Sequence, residues 1–336
     1  MTEPLLSIRD LRTVFHTDEG LVRAVDGVSF DVGRGETVCL VGESGSGKTV
    51  TGESITRLIR TPPGDIAGGE IVFDGRDLTT LSDDELRELR GDRIAHVFQN
   101  PQGALNPVYT VGWQIVEAIQ LHQDVTRATA RERGIDLLDR VGIPEATRRF
   151  DDYPHEFSGG MKQRVSLAMA LATNPDLLIA DEPTTALDVM TEAKILQELE
   201  ELSEEFDTAI QLITHDLGVI AELCDRVVVM YAGQPVEKAS VEELFYDPKP
   251  PYTVGLMASI PRIGTGVDRL KTIPGTMPDL IDIPSGCSFH PRCPYAEQAC
   301  TRIDPALVDP DSGVEADLDD DRGASCLEYT GDLAEG

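Results

Sequence analysis

The chain has 336 residues, with 60 acidic side chains against 29 basic ones, six of them lysine, and a formal net charge of −31. A field of that sign repels nucleic acid and anionic lipid head groups, which argues against direct attraction to either. The length allows two domains and a core that needs no disulfide staples, and no stretch of about 18 apolar residues exists to span a membrane as a helix.

The first residues, Met1-Thr2-Glu3-Pro4, lack the basic segment and apolar core of a secretory signal, so a cytoplasmic location is expected. Residues 5–14 alternate apolar and polar side chains as a half-exposed strand does, and a polar turn at 17–20 leads to a second strand over 22–32. Phe15, between them, has two readings: edge packing, or an aromatic that stacks on a base. A short apolar run, residues 37–41, suits a buried parallel strand, and 50–59 has helical spacing. Turns around a short strand at 70–73, a polar helix at 83–90 and a strand at 94–98 follow. Residues 104–173 read as mostly helical, which is most simply a helical subdomain inserted into a nucleotide-binding core. The alternation of strand and helix then resumes, with strands at 176–180, 209–213 and 226–231 and helices at 189–206 and 217–223. That order argues for a parallel sheet with its active groups at the strand C-terminal ends. Beyond about residue 240 the chain is punctuated by proline and glycine and holds four of the six cysteines.

The stretch Gly42-Glu43-Ser44-Gly45-Ser46-Gly47-Lys48-Thr49 joins the 37–41 strand to the next helix and has the spacing G-x-x-x-x-G-K-[ST]. Its glycines let successive N–H groups point at one anion, Lys48 reaches the β- and γ-phosphates, and the Thr49 hydroxyl ligates Mg²⁺. Asp181 ends an apolar strand, where a carboxylate holds Mg²⁺ through water, and the next residue, Glu182, is placed to polarise the attacking water. His215 ends the following strand and is a candidate contact to the γ-phosphate. Gln99, just past another strand, is a candidate for reaching both Mg²⁺ and the attacking water. Ser158-Gly159-Gly160-Met161-Lys162-Gln163 opens a helix and offers a second anion site at its N-terminus. Since that stretch lies on the inserted helices, two chains arranged head to tail would bring both anion sites to one nucleotide.

These stretches match, in order, the motif set of ABC-type ATPases. Residues 42–49 resemble the Walker A loop, Gln99 the Q-loop, 158–163 the signature, 177–182 Walker B with its catalytic glutamate, and His215 the switch histidine. Ala186, Leu187 and Asp188 resemble the D-loop, and Phe15 takes the position of the adenine-stacking aromatic, which decides between its two readings. Val50, after the loop, completes the set expected around ATP. The resemblance implies a P-loop ABC ATPase of α/β class: a RecA-like core, an antiparallel β subdomain, an inserted helical subdomain at about 104–173 and a small loop-rich C-terminal extension. It also implies ATP and Mg²⁺ as ligands, the metal held through Thr49, Gln99 and Asp181. Lys48 of one subunit and Ser158 of its partner would clasp one nucleotide. A domain boundary is expected near residue 240, with 1–240 as the nucleotide-binding domain and 241–336 as the extension.

Several stretches narrow the resemblance to the ATP-binding subunits of oligopeptide and dipeptide importers. They are Phe98-Gln99-Asn100-Pro101, Tyr153-Pro154-His155-Glu156-Phe157 and, in the extension, Gly286-Cys287-Ser288-Phe289-His290-Pro291-Arg292-Cys293-Pro294. Such a subunit is expected at the cytoplasmic face of the membrane as a peripheral protein. Its partners would be a second, related ATPase chain, two membrane permease subunits and, indirectly, an extracellular solute-binding protein, with no nucleic acid. Nickel and sugar importers share the motifs and leave the cargo open; a soluble ABC ATPase acting on nucleic acid or ribosomes is the reading from another class. Cys287, Cys293, Cys300 and Cys326 are too widely spaced for the close pairs of most zinc ribbons, and disulfides are disfavoured in a reducing compartment. Four thiolates in a loop-rich segment suit a [4Fe–4S] cluster, which some relatives carry, with Zn²⁺ or free thiols as alternatives. Acids spread along a lysine-poor chain resemble the proteins of halophilic organisms, in which high ionic strength screens self-repulsion.

Overall fold

The computed structural model describes residues 3–184, 189–259, 272–316 and 322–332. In chain order the elements are β1 (Leu6–Thr17), β2 (Gly20–Val32), β3 (Thr37–Val41), α1 (Lys48–Ile55), β4 (Gly64–Phe73) and β5 (Arg76–Asp77). There follow α2 (Asp83–Leu89), β6 (Ile94–Val97), α3 (Pro101–Ala104), α4 (Val111–His122), α5 (Arg127–Arg140), α6 (Ala146–Arg149) and α7 (Gly159–Leu171). Next come β7 (Leu177–Asp181), α8 (Val189–Phe206), β8 (Ala209–Ile213), α9 (Leu217–Leu223), β9 (Arg226–Tyr231), β10 (Gln234–Ser240), α10 (Val241–Tyr246) and α11 (Pro251–Ala258). Short 3-10 turns, β11 (Leu307–Val308), β12 (Gly323–Ser325) and α12 (Leu327–Thr330) complete the chain.

The chain divides into two compact units, one made of Met1–Val32, Val38–Thr79 and His215–Gly336, the other of Gly33–Thr37 and Thr80–Thr214. In the first unit an antiparallel sheet runs β2-β1-β4-β5, and a second set of strands runs β11-β12-β10-β9-β3. Within the latter, β3 lies parallel to β9 and the remaining pairs are antiparallel. All five residues of β3 are buried, as a strand covered on both faces requires. The β4 strand begins at Gly64, well before the 70–73 run that its side chains suggest. It pairs with β1 across that glycine-rich stretch, and at Gly69 (φ 93°) two β1 carbonyls lie 2.6 Å from where a Cβ would sit. The pairing partner, which local propensity does not register, decides that strand. The helix expected over 50–59 stops at Ile55.

The first unit also buries a carboxyl. Glu237 on β10 is 1% exposed, its Oε1 accepting from the Lys249 N–H at 3.0 Å. Burial pushes it up from 4.5 to about 7, against the opposing pull of Thr253, Lys249 and Arg322. A carboxyl raised in the folded state contributes stability that is complete below its unfolded value and is lost as pH rises through about 7. Glu237→Gln, which cannot ionise, is therefore expected to gain on the parent protein by on the order of 3 kcal/mol between pH 5 and pH 8. Urea unfolding at the two pH values checks this, and an equal difference at both would sink it.

In the second unit β6, β7 and β8 form a parallel ladder in the order β8-β7-β6. All residues of β7 and β8 are buried. The helices α4, α5 and α7 pack together as the expected helical segment. Phe150, 2% exposed, is gripped there: a Cβ at Gly112 would fall 2.0 Å from its ring and one at Gly134 2.9 Å. Burying that ring contributes roughly 2–3 kcal/mol. Side-chain caps set the helix starts, with Thr110 accepting from Trp113 N–H and Thr126 from Thr129 N–H. Trp113 stacks on Tyr109 at 3.9 Å, whereas Tyr153 is 42% exposed and lies against His155 outside the core.

Candidate functional site

In the first unit β3 delivers the chain to the loop at residues 42–49, and α1 starts at Lys48. Gly47 caps that helix at φ 102°, and a Cβ there would lie 2.2 Å from the Ala24 carbonyl oxygen. Only glycine takes this conformation in this space. The Lys48 ammonium is buried and folds back over the loop, donating to the carbonyls of Gly42 and Glu43 at 2.9 Å and to Ser46 Oγ at 3.4 Å. Ser44, Gly45 and Thr49 are exposed, and Val50 is half-buried. A glycine-rich loop at a helix start with a cation folded over it suits polyanionic phosphate. Phe15 lies on β1, half-buried, opposite Val22 on β2 and Gly64 on β4. His215 is exposed, one residue before Asp216, which caps α9 by accepting from Gly218 N–H at 2.7 Å.

Chain segments far apart in sequence close on the loop. Glu43 accepts from both terminal nitrogens of Arg292, at 2.5 and 2.9 Å, while the Glu43 N–H donates to the Tyr252 hydroxyl at 3.0 Å. Arg292 Nε donates to the Pro274 carbonyl at 2.8 Å, and Nη1 reaches the Tyr231 hydroxyl at 3.3 Å. Tyr231, Tyr252 and Phe289 form an aromatic cluster with centroids 4.6 to 5.3 Å apart, and the guanidinium lies over Tyr231 at 5.7 Å. Sequence reasoning gave neither Arg292 nor Tyr252 a role at the loop. A signal existed: an acidic residue inside an anion-binding loop needs a neutralising partner.

In the second unit, β7 ends at Asp181, which is 8% exposed, and Glu182 follows at φ 46°. A glutamate in the left-handed region is held against its preference, here partly by its N–H, which donates to the Ile213 carbonyl at 2.8 Å. The Glu182 carboxylate accepts from Gln99 Nε2 at 2.9 Å, so the structure joins two residues that sequence reasoning picked separately. Ser158 Oγ accepts from the Met161 N–H at 3.3 Å and caps α7. Gly159 is exposed, Gly160, Met161 and Lys162 are half-buried, and Gln163 is buried. Ala186, Leu187 and Asp188 lie outside the described residues.

The four C-terminal cysteines come together. Cys287, Cys293, Cys300 and Cys326 all line one cavity of about 70 Å³ in the first unit, beside Tyr252 and Phe289. The Cys287 N–H donates to the Cys300 carbonyl at 2.9 Å, which ties the first of them to the third. Burial pushes the thiols of Cys287 and Cys293 up, and that of Cys326 up to about 11. All four are free thiols, and among the described residues no three His, Cys, Asp or Glu side chains are placed to hold one metal ion. Cys39 is buried in β3 and Cys224 follows α9. No helix among the described residues is long and apolar enough to cross a membrane.

Known sequences and structures match this arrangement. Residues 25–185 fit the sequence model of the family described as ABC transporter, and residues 236–300 that of the oligopeptide/dipeptide transporter C-terminal region. The oligopeptide transport ATP-binding protein OppD of Bacillus subtilis is 52% identical over 293 residues, covering 87% of this chain and 82% of that protein. The oligopeptide transport ATP-binding protein AppD of the same organism is 47% identical over 309 residues, covering 92% and 94%. Among solved structures, the dimeric ATP-binding cassette MJ0796 in a post-hydrolysis state bound to ADP and Pi is similar at a TM-score of 0.65. It is 29% identical, over 70% of this chain and 98% of that one. A phosphate cradle, a carboxylate held after a buried strand and a matching C-terminal region thus stand in one chain, which belongs to the ABC-type ATPases, in the branch of oligopeptide and dipeptide transporter ATP-binding subunits.

Proposed function

We propose that this chain binds and hydrolyses ATP to power import of di- and oligopeptides, as a peripheral subunit on the cytoplasmic face of a membrane transporter. The observation that carries the peptide cargo is the match of residues 236–300 to the oligopeptide/dipeptide transporter C-terminal region. Residue by residue, Phe15 stacks on adenine, the N–H groups of the 42–49 loop other than that of Glu43, which Tyr252 holds, take the phosphates, and Lys48 neutralises their charge. Thr49, Gln99 and Asp181 would hold Mg²⁺, which would supply further charge neutralisation at the phosphates. Glu182 accepts the proton of the attacking water, Gln99 orients that carboxylate, and His215 contacts the γ-phosphate. Residues 158–163 clasp the nucleotide of a second, related ATPase chain, and Ala186, Leu187 and Asp188 serve as its D-loop. Closure of the pair moves two permease subunits loaded by an extracellular solute-binding protein, and hydrolysis resets them. Residues 1–240 are taken as the ATPase domain and 241–336 as its C-terminal extension, which meets the phosphate loop through Tyr252 and Arg292. The net charge of −31 supports work at high ionic strength.

The test is reconstitution in vesicles with the permease pair, the second ATPase chain and the binding protein. ATP-dependent uptake of labelled oligopeptides is expected; uptake of nickel or sugar instead would move the cargo assignment.

The four cysteines hold a [4Fe–4S] cluster in this reading. Four thiols around one small cavity match its donor set, and binding it would release the protons that burial otherwise keeps on sulfur. A bound cluster would tie the extension's loops together. Anaerobic purification is expected to yield iron and acid-labile sulfide in about equal amounts, both lost in Cys293→Ser. Zinc without sulfide, or no metal at all, would overturn the cluster.

A further inference from the structure

Glu43 is an odd residue for its place. It stands in the loop that receives the most negative part of ATP, where an unneutralised carboxylate would repel the ligand. The fold holds it at three points. The carboxylate takes both terminal nitrogens of Arg292, the N–H goes to the Tyr252 hydroxyl, and the carbonyl accepts from Lys48 at 2.9 Å. Arg292 is itself fixed: it is 7% exposed, donates from Nε to the Pro274 carbonyl at 2.8 Å and packs over Tyr231 and Phe289. Met277 lies on the same side, its terminal carbon 2.9 Å from where a Cβ on Gly45 would stand. Arg292 and Tyr252 both come from beyond β10, so the extension supplies the outer wall of the loop.

We propose that Arg292 and Tyr252 are positioning residues for ATP, acting through Glu43: they cancel its charge and hold the phosphate loop in its receiving conformation. The bidentate geometry matters, because a planar guanidinium orients a carboxylate as well as neutralising it. The inference rests on the reading of residues 42–49 as the phosphate loop.

The experiment measures ATP affinity with a fluorescent ATP analogue, and KM and kcat for ATP, on full-length protein carrying Arg292→Ala, Arg292→Lys, Tyr252→Phe, Lys48→Ala or the pair Arg292→Ala with Glu43→Gln. Arg292→Ala leaves Glu43 charged and free, and is expected to weaken ATP affinity about tenfold and raise KM with little change in kcat. Removing that charge in the double variant is expected to restore affinity to within about threefold, although the bonds of Arg292 to Pro274 and Tyr231 stay lost. Arg292→Lys should recover part of the affinity, as a point charge without the fork. Tyr252→Phe keeps its ring in the aromatic cluster and should weaken ATP binding severalfold; it decides the matter if Arg292→Ala does not fold. Unchanged affinity in Arg292→Ala, a loss that Glu43→Gln leaves unrelieved, or unchanged affinity in Tyr252→Phe would overturn the proposal. Lys48→Ala is expected to abolish binding; if it binds ATP normally, the phosphate-loop reading falls and the inference falls with it.

Discussion

Glu182→Gln is expected to lower ATP turnover by at least about a hundredfold while ATP binding and ATP-dependent pairing of the subunits persist. The substitution keeps the shape of the side chain and removes only its capacity to take a proton. The residue's surroundings make that separation clean. Its backbone sits at φ 46°, with the N–H bonded to Ile213 at 2.8 Å, and its carboxylate meets Gln99 at 2.9 Å. A glutamine at 182 can keep both contacts, provided that the two amides orient so that one donates and the other accepts. The phosphate cradle is built from other residues, so nucleotide affinity should hold. Phosphate release, equilibrium nucleotide binding and light scattering with and without ATP report the three quantities. Turnover within a few-fold of the parent protein would remove Glu182 from the catalytic role.

Gly47→Ala is expected to have the other large effect, on folding and nucleotide binding together. The added Cβ would stand 2.2 Å from the carbonyl oxygen of Ala24, and the backbone is at φ 102°. Ala24 belongs to β2 and sits at an irregularity in its pairing with β1, but both flanking residues are paired, Arg23 with Val14 and Val25 with Thr13, so the oxygen has little room to retreat. The left-handed backbone alone costs about 1–3 kcal/mol for a residue with a Cβ, and the collision adds to it. The loop would relieve both by rotating its amides away from the anion, so ATP affinity should fall by more than about tenfold. Gly159→Ala is the contrast: nothing lies within 4 Å of its Cβ position and it opens α7, so its stability should stay within about 1 kcal/mol of the parent. Thermal unfolding and nucleotide titration of both variants give the comparison. A Gly47→Ala protein as stable and as tight for ATP as the parent would overturn the geometry argued for the loop.

Much of the ATPase machinery was legible in the sequence because its chemistry is local. A phosphate cradle needs glycines, a lysine and a hydroxyl at set spacing after a strand, and residues 42–49 carry that pattern whatever surrounds them. Buried parallel strands read as short apolar runs, so β3, β7 and β8 were found within a residue or so. Helix caps are equally local, and Ser158 fulfils one at α7. Even the four thiols were visible as a group in the loop-rich extension.

What tertiary structure alone decided involves partners distant in the chain. Gln99 and Glu182 lie 83 positions apart and meet because β6 and β7 are neighbours. Arg292 and Glu43 are separated by 249 positions, and no periodicity links them. The extent of β4 and the ionisation of Glu237 depend in the same way on what packs against them. Local sequence sets the conformations and the chemical groups that a segment offers. Topology decides which groups are desolvated together, and desolvation gives a charge, a thiol or a hydrogen bond most of its energetic weight.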